Sequence, residues 1–377
     1  MGTSTMRTGL AAAASVLAAL AAAAPVQAAP GGSAARCEPA VRVLERLPVL
    51  SEDPYPSPYV RRTQVNAIAE GSDVAVGMST LKPAYWIGTK VFQPPLPAGS
   101  GSGTIKDVNR HGLMVGRVST PDGTIGFSYR HGDPAITVLP GGGLPNSVND
   151  QGVIVGDVWV PEQNRTVAME WYEGRLLREL SAPPGYKLYG ASHINNAGEV
   201  TGPAASLAAA NGTPALFWPA DRSVPARPLA TVDGTEGTYR AGGLDDHGRI
   251  VGYKWVGEGP DHHQVSVVWK GPDTPPAYPP LTRGAVSGTL DGISPRTGVA
   301  VGMAAYPPEP APGPYALAQY WTGHGPMRVL PGLTPTGYSV AFTATDDDRV
   351  GGTALDAGNR PQPVIWTCAS QQAFVRR

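Results

Sequence analysis

One pattern recurs along the chain and leaves few folds open to it. Four copies are plain: Val108-Asn109-Arg110-His111-Gly112-Leu113-Met114-Val115-Gly116, Val148-Asn149-Asp150-Gln151-Gly152-Val153-Ile154-Val155-Gly156, Ile194-Asn195-Asn196-Ala197-Gly198-Glu199-Val200-Thr201-Gly202 and Leu244-Asp245-Asp246-His247-Gly248-Arg249-Ile250-Val251-Gly252. Three weaker copies end at Gly77, Gly302 and Gly352, so the terminal glycines are spaced 39, 40, 46, 50, 50 and 50 residues. Periods of this size belong to solenoids or propellers, whose units cannot bury an apolar face alone and stack on their neighbours.

The chemistry of the unit favours the propeller. Asn109, Asn149, Asn195 and Asp245 start a tight turn by bonding their own backbone, and Gly112, Gly152, Gly198 and Gly248 supply the positive φ that closes it. The run after the turn is apolar without alternation, as in Val153-Ile154-Val155. A strand apolar on both faces is buried on both, which stacked antiparallel blades achieve. The terminal Gly implies close approach by a neighbour, expected to be the aromatic side chain of the next strand: Tyr85-Trp86, Phe127, Trp171, Phe217-Trp218, Trp269, Tyr320-Trp321 or Trp366. A fourth apolar segment follows, at Val91-Phe92, Ile136–Leu139, Leu176-Leu177, Leu229, Leu281 and Arg328-Val329-Leu330. The expectation is an all-β chain, one β-propeller of seven four-stranded blades. The units lie near residues 60–101, 102–141, 142–184, 185–233, 234–284, 285–334 and 335–368, the last completed by 37–50.

That completion is read from a gap. Trp366-Thr367-Cys368 has no fourth segment after it, whereas Cys37-Glu38-Pro39-Ala40-Val41-Arg42-Val43-Leu44 reproduces one at the other end of the chain. The N-terminal strand is therefore expected to finish the last blade, removing an open sheet edge. A Cys37–Cys368 disulfide would lock it and contribute up to about 5 kcal/mol in the chain-entropy model.

The units resemble the extracellular HAF-repeat family. The resemblance rests on Ile194-Asn195-Asn196-Ala197-Gly198-Glu199-Val200-Thr201-Gly202 and on the Leu-Gly segments Val138-Leu139-Pro140-Gly141-Gly142 and Val329-Leu330-Pro331-Gly332, with Pro214-Ala215-Leu216-Phe217-Trp218 nearest the His-Ala-Phe triplet. It covers about residues 60–368 and implies a secreted β-propeller-like array without a general activity.

Residues 1–29 read as a signal peptide: Arg7, an apolar run from Leu10 to Ala24, and Val26-Gln27-Ala28 before a cut after Ala28 or Ala29. Residues 30–377 are then the mature, secreted propeller, with no further run long enough to span a membrane. The 29 basic and 30 acidic residues leave no electrostatic footprint for nucleic acid. Asn164-Arg165-Thr166 and Asn211-Gly212-Thr213 fit the glycosylation sequon but matter only in a eukaryotic host, whereas the chain reads as bacterial.

Candidate chemistry is sparse. Asp245-Asp246 and Asp346-Asp347-Asp348 lack the loop pattern of a calcium site, and no His or Cys spacing fits zinc, so no metal and no cofactor is expected. Two columns just ahead of the turns should face the propeller axis: Ala67, Asp107, Ser147, His193, Gly243, Gly292 and Thr343, and before them Asn66, Lys106, Asn146, Ser192, Gly242, Asp291 and Phe342. Lys106, Asp107, His193 and Asp291 are their candidate binding residues. The expected function is a monomeric binding module for an extracellular protein or glycan. The alternatives are a carbohydrate-cleaving propeller enzyme, which needs Asp107, His193 and Asp291 at one mouth of the channel, and a structural envelope protein. The long loops Pro203–Thr213, Trp255–Gln264 and Tyr306–Tyr315 are further candidates for partner choice.

Overall fold

A computed structural model describes residues 37–48, 63–208, 214–232, 238–257, 261–307, 315–335 and 337–376. The expected signal peptide and parts of the three long loops lie outside these residues. The strands form seven antiparallel sheets, one per repeat, each starting at the strand that precedes the Asn/Asp turn. Successive sheets pack in sequence order, and the last packs on the first, so the sheets close a seven-bladed propeller.

The repeat pattern becomes a hairpin as its chemistry requires. In blade 2 the strands Gly103–Val108 and Met114–Thr120 flank the turn, where Asn109 Oδ1 accepts from the amides of His111 and Leu113 at 3.0 Å each. The closing position is left-handed in all seven blades: Gly71, Gly112, Gly152, Gly198, Gly248 and Gly298, with Asp348 (φ 65°) in the seventh. Asp348 is held there by the amide and hydroxyl of Ser370.

The third strand of each blade carries the staple between blades. The residue paired two positions before the terminal Gly is Trp86, Tyr129, Trp171, Trp218, Trp269, Trp321 or Trp366. Tyr129, not Phe127, therefore holds the repeat position in blade 2. Five of these indoles donate to a carbonyl just past the fourth strand of the preceding blade: Trp86 to Glu45 (2.8 Å), Trp171 to Pro140 (3.2 Å), Trp218 to Ser181 (2.9 Å), Trp269 to Ala230 (2.8 Å) and Trp366 to Pro331 (2.8 Å). The residue before each acceptor is apolar, and Leu44, Leu139, Leu180, Leu229 and Leu330 are all buried. Leu176 and Leu177, read as the fourth segment of blade 3, are instead exposed (49% and 45%), and Leu180 takes the core position. In blade 5 the fourth strand shrinks to one bridge, Val268 to Ala277, rather than reaching Leu281.

Closure follows the expected splice. Ala40–Val43 pairs antiparallel with Pro361–Thr367 in the register Ala40 to Thr367 through Val43 to Val364, and Cys37 is disulfide-bonded to Cys368. Trp86 of blade 1 then finds Glu45 as Trp171, Trp218, Trp269 and Trp366 find their acceptors. Leu44, Val65, Ile68, Trp86 and Ile365 form one apolar cluster across the joint. A second latch was not anticipated: past the short helix Ala369–Gln372, Phe374 pairs with Val329 on the outer strand of blade 6.

The terminal glycines answer to backbone, not to tryptophan. A Cβ on Gly252 would lie 1.8 Å from the Arg240 carbonyl oxygen, and one on Gly77 2.0 Å from that of Gln64; the other five meet the equivalent carbonyl at 2.0–2.5 Å. In six blades the carbonyl belongs to the innermost strand at a one-residue bulge, opposite the Gly. A bulge bends its strand and turns the extra residue out of the ladder.

Reduction of Cys37–Cys368 is predicted to lower stability by about 2–5 kcal/mol, within the range for disulfides closing long loops. Urea unfolding with and without reductant checks this, and the Cys37→Ser, Cys368→Ser double variant should match the reduced protein. Coincident curves with and without reductant would refute it.

Candidate functional site

The bulges make the site. The extra residues are Asn66, Lys106, Asn146, Gly242, Asp291 and Phe342, with Ser192 in the interrupted inner strand of blade 4. All seven line an axial funnel of about 570 Å³, together with Gln64, Tyr189 and Arg240. The turns line one end of it, its rim, Gln64 and Arg240 lie toward the other, and the bulges stand between.

The rim is a ring of hydrogen bonds from blade to blade. Asn109 Nδ2 donates to the Asn149 carbonyl (2.8 Å), Asn149 Nδ2 to that of Asn195 (3.2 Å), and Asn195 Nδ2 to that of Asp245 (2.8 Å). Each side chain thus closes its own turn with oxygen and grips the next blade with nitrogen, which is why amides serve here. Asp245 has no such nitrogen, and its Oδ2 takes Arg249 Nε at 2.6 Å instead. A second ring runs one residue further on: Arg110 to Asp150, Asp150 to Asn196, Asn196 to Asp246, Arg296 to Asp346, and the Asp346 amide to Glu70 across the joint. The aspartates that suggested calcium are spent this way: Asp347 pairs with Arg349, and Asp348 with Ser370. Among the described residues, no three His, Cys, Asp or Glu side chains are placed to hold a metal ion.

The four channel candidates divide into two pairs. Asp107 and His193 share one repeat position and turn toward the following blade. Asp107 Oδ2 accepts from the Ser147 hydroxyl (2.7 Å) and the Val148 amide (2.9 Å); burial raises its pKa against the pull of these bonds. His193 is hydrogen-bonded to the Ala241 backbone, and burial pushes its pKa down to about 4. Lys106 and Asp291 are bulge residues and face the axis; Thr289 Oγ1 donates to Asp291 at 2.7 Å. Burial, reinforced by Arg117, lowers Lys106 to about 8, while Asp157 opposes the shift. Asp107, His193 and Asp291 all line the same funnel, but Asp107 is also hydrogen-bonded to Ser147 and Val148 of the next blade and His193 to the Ala241 backbone.

Sequence reading missed Arg117 and Asp157, which follow the terminal glycines of blades 2 and 3, and Arg240. Their signal is a repeat column, Met78, Arg117, Asp157, Pro203, Tyr253, Met303 and Thr353, in which only two blades carry charge. Asp157 Oδ1 accepts from Asn146 Nδ2 at 3.0 Å.

No family model matches this chain, and no curated protein matches it. Among solved structures it is similar to the β-propeller domain of the trilobed protease from Pyrococcus furiosus (7% identity, 81% of this chain and 96% of that one, TM-score 0.47). It is also similar to the Pyrococcus horikoshii acylaminoacyl peptidase (10% identity, 82% of this chain, TM-score 0.48), of which it spans 51%. A third is the subtype N11 neuraminidase-like protein of A/flat-faced bat/Peru/033/2010 (9% identity, 82% of this chain and 89% of that one, TM-score 0.39).

Two outcomes follow for the rim. Asn149→Asp keeps the oxygen that bonds Val153 but loses the donor to Asn195 and sets a buried carboxylate against its carbonyl. It should destabilise by about 2–4 kcal/mol in urea unfolding; a change below about 0.5 kcal/mol would remove the ring's structural role. Glu70 is raised to about 7 by burial, with Asp346 and Asp347 adding to the rise. Its folded pKa exceeds the unfolded value, so the native state binds more protons between about pH 4.5 and 7, and stability due to this group falls as pH rises through that window. Glu70→Gln should therefore gain on wild type from pH 4.5 to 7 and meet it below pH 4.5; a pH-independent difference would contradict the shift.

Proposed function

We propose that this protein is a secreted, monomeric β-propeller binding module whose ligand, a glycan or a segment of an extracellular protein, seats in the axial funnel. One observation carries the reading: all seven blades place side chains in the funnel, and most are amides, hydroxyls or charged groups. Such a set offers hydrogen bonds from many directions on a rigid frame. The disulfide agrees with an oxidising, extracellular compartment. The carbohydrate-cleaving alternative needs a poised acid and base. Asp107 and His193 are held in the seams between blades, and His193 is neutral at pH 7.

A glycan array probed with protein from culture supernatant, its N-terminus at Ala29 or Pro30, tests this. Ser192→Trp fills the funnel from blade 4 and should abolish binding without moving the unfolding midpoint. Binding that survives the substitution would place the ligand on the outer loops.

A further inference from the structure

Lys106 is the one cationic bulge residue, and its strand turns it into the funnel. Arg117, on the strand paired with it, lies close enough to lower the Lys106 pKa. Among the described residues neither side chain makes a hydrogen bond or ion pair. Asp157 is the counter-charge within reach, but it also accepts from Asn146. Lys106 and Arg117 share the Asp157 carboxylate, and Asp291 faces the axis from blade 6, so an entering anion would meet Lys106 with its charge only partly offset nearby. Around them stand neutral groups suited to hydroxyls: Asn66, Asn146, Ser192 and Tyr189.

The rim above carries more acidic groups: Glu70, Asp150 and Asp246 stand at the mouth, with Arg110 paired to Asp150. This leaves Lys106 as the cation deeper in the funnel. A saccharide with a single carboxylate can enter acid-end first and leave its neutral part among the amides.

We propose that the funnel holds a carboxylate subsite in which Lys106, with Arg117 on the paired strand adding to the local positive charge, receives the terminal uronate of an acidic saccharide. This rests on the funnel being the binding site. A carboxylate held by a cationic donor gains a charge-assisted bond that a neutral sugar lacks.

The test is calorimetric titration of the full mature protein with cellobiouronic acid and with cellobiose, its neutral parent. Wild type should bind the acid at least about tenfold more tightly. Lys106→Met should erase that preference, and Lys106→Arg should retain most of it; thermal melts of both variants confirm that they fold. Equal binding of the two sugars overturns the inference while leaving the funnel reading intact. A preference that survives in the Lys106→Met, Arg117→Met double variant also overturns it, as does failure of either sugar to bind at millimolar concentration. Failure of the funnel reading itself shows separately, as glycan binding undisturbed by Ser192→Trp.

Discussion

The pairing of Ala40–Val43 with Pro361–Thr367 turns a row of blades into a ring. Without it the last blade ends on an open strand edge, and Trp86 loses the carbonyl that Trp171, Trp218, Trp269 and Trp366 each find on the blade before them. The joint combines interactions of different kinds. Four ladder positions set the register, Leu44 fills the apolar seam, and the Cys37–Cys368 bond prevents the ends from separating. Thr353 Oγ1 also donates to the Thr63 carbonyl, and Asp346 reaches Glu70 across the same seam. Because each blade is positioned only by its neighbours, a ring left open at one seam would loosen the turn network that forms the rim.

Fold and site share one device. The inner-strand bulge pushes a carbonyl over the terminal Gly and, by the same distortion, presents one residue per blade to the axis. The Gly is fixed because no Cβ fits beneath the carbonyl. The bulge residue varies more: Asn66 and Asn146 reach the next blade with their amides, Lys106 and Asp291 carry charge, and at Gly242 the Leu290 carbonyl leaves no room for a Cβ. Structure and variability are thus separated by a single residue step, and this lets one repeat carry Asn66, Lys106, Asp291 and Phe342 at equivalent places.

The turns were legible because their chemistry is local: Asn109, Gly112 and their equivalents act within four residues, and repetition amplifies the signal. The closure was legible because one blade lacks a strand that the other terminus supplies. The cause of the terminal Gly was not. Trp366 pairs with Val350, two residues from Gly352, so the indole is a plausible neighbour in sequence terms; the atom that excludes a Cβ is the Val340 carbonyl on the other side. A bulge has no single residue signature either, since Asn66, Lys106, Asp291 and Phe342 all occupy it. Leu176-Leu177 and Leu180 are equally apolar, and only the strand register decides which is buried. For the site, the axial columns could be drawn up in advance, but not which member is tied to the next blade. Asp107 and Lys106 are adjacent and both line the funnel, yet Asp107 also bonds Ser147 and Val148 of the following blade.

Native-state hydrogen exchange addresses the ring closure most directly. The amide of Leu44, bonded to the Pro363 carbonyl at 2.9 Å, and that of Arg42, two residues before it in the same ladder, should exchange only with global unfolding, at the same free energy as the bonded amides of the central strand Val153–Val160. Fast exchange at Arg42 and Leu44, with Val153–Val160 still protected, would mean that the N-terminal strand is not part of the ring.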